Sequence, residues 1–322
     1  MHYDVFNGDA DGIIALLQLR LSTPKEHRLI TGVKRDIKLL EQVVTRRDAT
    51  SVTVLDISMM KNIEPLQQLL TQRIPVFYCD HHQSGTIPDS EYLETLINLD
   101  AETCTSLLIN QQLKGKFVHW AIAGAFGDNL HHHARSIANR EGLSPEDTDF
   151  LCELGTLINY NGYGATLDDL HMPPAELFQQ LLNYPSPFML REDPESPYYL
   201  LQQGYADDYA QVTRLIPLTE NQSCRIFELP SAAWARRISG VFGNELANQR
   251  PELAHAVLTL NENQQDYTVS VRAPLKNRTG ADDVCSLFAT GGGRKAAAGI
   301  NALPCDQKSH FIDALTQYYQ SL

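Results

Sequence analysis

Along the first half of the chain, short strand-like runs alternate with longer helical stretches. Residues 3–6 read as a strand, and residues 12–21 as an apolar-rich helix that Ser22-Thr23-Pro24 ends. A second strand follows at 28–33, and Asp36 is placed to cap a helix over 37–47. The β-branched run 51–57 is a third strand, 63–72 a helix, and the apolar run 75–78 a fourth strand. Strands separated by helices of about ten residues predict a parallel sheet with right-handed crossovers. Ser144-Pro145-Glu146-Asp147 opens a further helix to about residue 158.

From 159 to 221 the pattern breaks, as tyrosines, prolines and acids dominate. Short helices fit between these breaks, but a continuous core element does not. The tyrosines there suit either ordinary packing or stacking on bases. Beyond it, 225–229 reads as a strand and 232–248 as a helix. Residues 254–261 and 267–273 form a hairpin, and 281–287 is helical. The expected organisation is a first domain over 1–185, a linker over 186–224 and a smaller second α/β domain over 225–322. That fits 322 residues, which exceed the usual span of one domain.

Charge and cysteine usage narrow the function. The net charge is −13. Residues 1–224 carry 16 Lys and Arg against 30 Asp and Glu, which leaves −14 on them. Such a surface repels a long polyanion, so no long duplex is expected as partner. Six scattered cysteines with no C-x-x-C fit reduced thiols in a cytoplasmic protein. The first residues lack a basic, then apolar, leader pattern. No run approaches the ~20 apolar residues of a membrane span, so no membrane partner is expected.

The candidate chemistry sits where strands end. The first strand runs into Asn7-Gly8-Asp9-Ala10-Asp11-Gly12, the third into Asp56, and the fourth into Cys79-Asp80-His81-His82. The small, apolar segment 121–126 ends in Gly127-Asp128-Asn129. Any one of these acids could be a helix cap or turn residue. In open α/β sheets, however, ligands bind beyond the carboxyl ends of the strands. Five carboxylates and two imidazoles converging there would repel unless a divalent cation joined them. His131-His132-His133 offers further imidazoles, although a helix start with exposed rings accounts for them.

In the second domain Gly291-Gly292-Gly293 precedes Arg294 and Lys295. A glycine run lets backbone N–H groups approach an anion, and a helix or turn start after it would favour negative charge. Arg272 adds charge from the preceding strand. These residues are the expected phosphate-binding set.

These segments, in order, resemble the four motifs of the DHH phosphoesterases. Ser270-Val271-Arg272 with the 291–299 run resembles the glycine-rich signature of the DHHA1 domain. The resemblance implies an N-terminal parallel-sheet domain, a smaller C-terminal α/β domain and an active site in the cleft between them. It implies two ions, Mn²⁺ or another divalent metal such as Mg²⁺. Asp9 would serve one, Asp11, His81 and Asp128 the other, and Asp56 would bridge both. Asp80 would orient its loop, and His82 would meet the substrate phosphate or leaving group.

The implied activity is hydrolysis of phosphoester bonds in short oligonucleotides or small nucleotides. The alternatives are a RecJ-like single-strand exonuclease and a nucleotide-binding regulator without turnover. The oligomeric state is left open, a homodimer included. Two departures stand out. Val5 and Asn7 occupy the region where some members carry histidine, and Arg294 stands where the family usually has His. Arginine keeps its charge and grips phosphate with two parallel N–H groups, but it does not shuttle protons.

Overall fold

The computed structural model describes residues 1–321. Two units are distinct, Met1–Gly204 and Tyr205–Leu322.

In the first unit, β1 (His2–Phe6) is buried at every position, as a central parallel strand covered on both faces must be. It lies between β2 (Arg28–Ile30) and β3 (Ser51–Leu55). Beyond β3 come β4 (Val76–Asp80) and β5 (Leu93–Ile97), and all four pairings are parallel. Helices α1 (Ala10–Ser22), α2 (Glu41–Arg46) and α3 (Ile63–Thr71) supply the crossovers. One sheet face packs Tyr3, Val5, Val52, Val54 and Tyr78 against Val43, Leu66 and Leu69 of the helices. Then follow α4 (Thr105–Gln112), α5 (Val118–Gly127), α6 (His131–Arg140), α7 (Pro145–Asn161), α8 (Pro174–Leu181) and α9 (Pro197–Val212).

A polar cluster lies inside this core. Asp4, fully buried on β1, accepts from Arg20 Nε of α1 at 2.7 Å and lies 3.0 Å from His2 Nε2. Burial, the largest influence, pushes its pKa up, but the Arg20 and His2 contacts together outweigh it and hold the group below 3.8.

Four sequence expectations change. The segment ending at Asp128 is not a strand: residues 118–127 form α5, buried from Trp120 onward. A short apolar run does not by itself separate a buried strand from a buried helix. Asp36 does not cap a helix. Its Oδ2 accepts from Val33 N at 3.1 Å within a turn, and α2 starts only at Glu41. The fifth strand, β5, went unseen because it is a half-exposed edge with little apolar signal. The 16-residue α9 runs through a stretch expected to hold only short helices. Ser144 behaves as expected, accepting from Asp147 N at 3.0 Å at the start of α7.

The second unit is a six-stranded sheet of β6 (Thr219–Glu220), β7 (Cys224–Leu229), β8 (Ala254–Leu260), β9 (Asp266–Arg272), β10 (Gly291–Gly293) and β11 (Ala297–Pro304). Their spatial order is β10-β11-β9-β8-β7-β6. Only β7 and β8 run parallel, joined through α10 (Ala233–Gln249). The short α11 (Ala281–Cys285) and α12 (Lys308–Gln320) complete the unit. Phe311 and Leu315 pack with Ile226, Val269 and Leu258 in its core. Among the described residues no helix is long and apolar enough to cross a membrane.

Candidate metal centre

The loop after β1 starts α1 with Asp9 as N-cap, its Oδ1 accepting from Gly12 N at 3.1 Å. It packs tightly against the loop after β2. A Cβ on Gly8 would stand 1.9 Å from Gly32 O, so only glycine permits that approach.

Asp11, in the first turn of α1, points at the N-terminus of α4. Its oxygens accept from Thr105 N and Ser106 N, each at 2.7 Å. Asp56, just past β3, has φ +59°, a left-handed conformation that Asp tolerates better than most residues. Such backbone strain, held in place by the surrounding structure, is common at functional sites. Thr105 Oγ1 donates to Asp56 Oδ1 at 3.1 Å.

β4 delivers Asp80, His81 and His82. His81 Nδ1 donates to Thr103 O at 3.0 Å, so the ring presents the lone pair of Nε2. That nitrogen stands 3.4 Å from Asp56 Oδ1, 3.8 Å from Asp11 Oδ2 and 3.8 Å from Asp128 Oδ2. Asp128 arrives as the C-cap of α5 rather than from a strand end. His82 Nδ1 donates to Asp80 Oδ1 at 2.7 Å, and the half-exposed His82 ring thereby keeps Nε2 free.

This donor set fits a divalent ion. Ligand atoms each about 2.1 Å from an ion lie roughly 3 to 4.2 Å apart, and the His81–carboxylate separations fall in that range. They are too long for hydrogen bonds. Asp56, His81 and His82 place one ligand atom each within 4.8 Å of one another. Asp80 Oδ2 is buried without a hydrogen-bond partner, a costly state that a nearby cation relieves.

Electrostatics point the same way. Burial, and then the charges of Asp11, Asp9, Asp80 and Asp128, push the Asp56 carboxyl well above its ordinary range. The five expected acids thus act on one another directly.

Lys34 was missed in the sequence. It sits in the loop after β2, and its Nζ lies 2.6 Å from Asp9 Oδ2. It also donates to Asn159 Oδ1 at 2.8 Å, near the end of α7. Burial is the largest influence on Asp9 and pushes its pKa up. The Lys34 charge and hydrogen bond, with Gly12 N–H, outweigh it and bring the group down to about 2. The signal was available: the strand-end rule applies equally to β2, whose loop holds Gly32-Val33-Lys34-Arg35-Asp36.

Other imidazoles and tyrosines have structural places. His131 begins α6, with Nδ1 3.6 Å from Cys152 Sγ and its ring edge-on to Phe126. Tyr184 donates to Asp193 at 2.6 Å, Tyr198 to Glu153 at 2.8 Å, and Tyr199 to Arg191 O at 2.7 Å.

In the second unit the glycine run does not open a helix. Gly291–Gly293 is β10, antiparallel to β11, and residues 294–296 form the turn between them. The N–H of Arg294 is spent on Ala297 O at 2.8 Å, so the expected array of free backbone donors is reduced. Gly291 and Gly293 are needed for close packing, whereas nothing lies within 4 Å of a Cβ at Gly292. The Arg294 and Lys295 side chains are exposed.

Register sets Arg272 opposite Ala297, beside that turn. Its guanidinium is largely committed within the fold, with Nε donating to Asn244 Oδ1 at 2.6 Å and Nη1 to Ser270 Oγ at 2.8 Å.

No protein-family model matches the chain, and no curated protein does. Solved structures match along its whole length. An exonuclease RecJ bound to manganese superposes with a TM-score of 0.61 at 14% identity, covering 100% of this chain and 90% of that one. A pGpG-specific phosphodiesterase, PggH from Vibrio cholerae, gives 0.56 at 11% identity, covering 100% and 99%. An exopolyphosphatase-related protein from Bacteroides fragilis gives 0.53 at 12%, covering 99% and 92%. At these identities the likeness is one of fold.

Proposed function

We propose that this chain, whose fold is that of the DHH proteins, is a divalent-metal-dependent phosphoester hydrolase acting on short oligonucleotides or small nucleotides. The observation that carries the reading is His81, whose Nε2 lone pair is aimed into three carboxylates by a hydrogen bond behind the ring. That arrangement serves ligation better than it serves folding, since buried like charges destabilise an ion-free protein.

Asp11, Asp56, His81 and Asp128 would hold Mn²⁺, or Mg²⁺ in its place. A divalent ion there lowers the pKa of water and neutralises phosphate oxygens. The protein does the rest. Thr105 and Ser106 fix the Asp11 carboxylate, and Thr105 also fixes Asp56. Asp80 holds the His82 ring so that Nε2 of the protonated imidazolium would donate to a phosphate oxygen or leaving group. Arg294 and Lys295, with Arg272 beside them, supply positive charge for a terminal phosphate.

Short substrates are favoured because residues 1–224 carry −14. The likeness to PggH supports a dinucleotide-sized substrate, and that to RecJ keeps single-strand exonuclease activity as the second reading. A Mn²⁺-supplemented panel of bisphosphonucleotides, cyclic dinucleotides and two- to five-residue oligonucleotides tests it. Turnover of a short member supports the proposal. Turnover confined to long single strands selects the exonuclease, and tight binding without turnover selects a regulator.

A further inference from the structure

Both oxygens of Asp9 are already engaged. Oδ1 takes the Gly12 N–H at 3.1 Å and Oδ2 the Lys34 ammonium at 2.6 Å. Lys34 is no surface side chain that has swung inward. Its backbone N–H donates to Gly162 O at 2.8 Å, and its carbonyl accepts from Asn7 Nδ2 at 3.3 Å. Its Nζ donates to Asn159 Oδ1 at 2.8 Å and lies 5.2 Å from the centroid of the Tyr163 ring. Main chain and ammonium are thus fixed by groups from the β1 loop and the end of α7. A divalent ion at Asp9 would have to displace Lys34.

From this geometry we infer that Lys34 takes the place of a second divalent cation: the centre binds one ion tightly, at His81, and a fixed ammonium neutralises Asp9. The inference rests on the metal-centre reading and departs from the two-ion arrangement that the sequence resemblance implies. A lysine suits this role because a single compact charge on a long stem neutralises one carboxylate without requiring a full coordination shell.

The test is metal stoichiometry on the full chain, by calorimetric titration with Mn²⁺ and by metal analysis after gel filtration. Wild type should bind about one ion, and Lys34→Met, which keeps the stem and removes the charge, about two. Lys34→Arg should stay at about one. His81→Ala should lose the single ion.

Two tight ions in wild type, unchanged in Lys34→Met, would overturn the inference and leave the metal centre standing. No binding to wild type at all would overturn the metal centre itself, and the inference with it.

Discussion

Replacing Asp56 by asparagine should stabilise the protein without metal and destabilise it with metal. Asparagine keeps an oxygen to accept from Thr105 Oγ1 and tolerates the left-handed backbone at φ +59°. The substitution therefore removes charge with little change of shape. The Asp56 pKa is raised in the fold by burial and by four neighbouring carboxylates. A carboxyl with a raised folded-state pKa weakens the fold above its unfolded value, increasingly as pH climbs to the folded value. Each unit of elevation costs about 1.4 kcal/mol. For a unit of the size of Met1–Gly204, 1 kcal/mol moves Tm by about 2–4 °C, so each unit relieved is worth roughly 3–5 °C.

The assay is thermal unfolding of both proteins in a chelator near neutral pH, repeated at falling pH and then in Mn²⁺. In chelator Asp56→Asn should melt higher, and the gap should close as pH falls below 3.8, where both states are protonated. In Mn²⁺ at about a hundred times its dissociation constant, wild type gains about 2.7 kcal/mol, or roughly 5–11 °C, that the variant lacks. The order should then reverse. A variant that melts lower in chelator, or an order that Mn²⁺ does not change, would refute the reasoning.

Three further outcomes follow from the same geometry. Arg20→Met should lower stability by about 3–5 kcal/mol in denaturant titration, because it strands the buried Asp4 carboxylate. Loss of less than about 1 kcal/mol would show that His2 and His27 hold Asp4 without Arg20. Arg294→Ala should lower kcat/KM about ten- to a hundredfold on dinucleotides bearing a terminal phosphate, and little on those without one. Equal loss on both would remove Arg294 from phosphate binding. Catalytic efficiency should fall as oligonucleotides lengthen beyond a few residues at physiological salt. Undiminished cleavage of long single strands would show that the −14 on residues 1–224 does not select substrates.

Much of the first unit was legible because its signals are local. Buried parallel strands are rich in apolar, β-branched and aromatic residues, and β1, β3 and β4 stand out by that enrichment. Their carboxyl ends expose Asp9, Asp56 and Asp80-His81-His82 by simple reading. What failed depends on context. The run before Asp128 is as apolar as a strand, and only packing on several sides makes it α5. β5 is an edge with exposed side chains, so nothing in its pattern announces it. Gly291-Gly292-Gly293 reads as a run that lets backbone N–H groups approach an anion ahead of a helix or turn, whereas in the fold it is a strand paired with β11 that leads into a turn. Lys34 was marked only by its place in the loop after β2. Its meaning comes from Asp9 and Asn159, which are distant in sequence and joined only by the fold.

The most direct test of the account is hydrolysis of a 5′-phosphorylated dinucleotide by wild type and by His81→Ala, each in Mn²⁺ and in chelator, with folding checked by circular dichroism. Wild type should release mononucleotide in Mn²⁺ alone. Folded His81→Ala should be slower by about 10²–10³, the usual cost of removing one electrostatic stabiliser from a centre of this kind. Equal hydrolysis in chelator, or a folded His81→Ala protein as fast as wild type, would contradict a metal-dependent phosphoester hydrolase built on His81 and its three carboxylates.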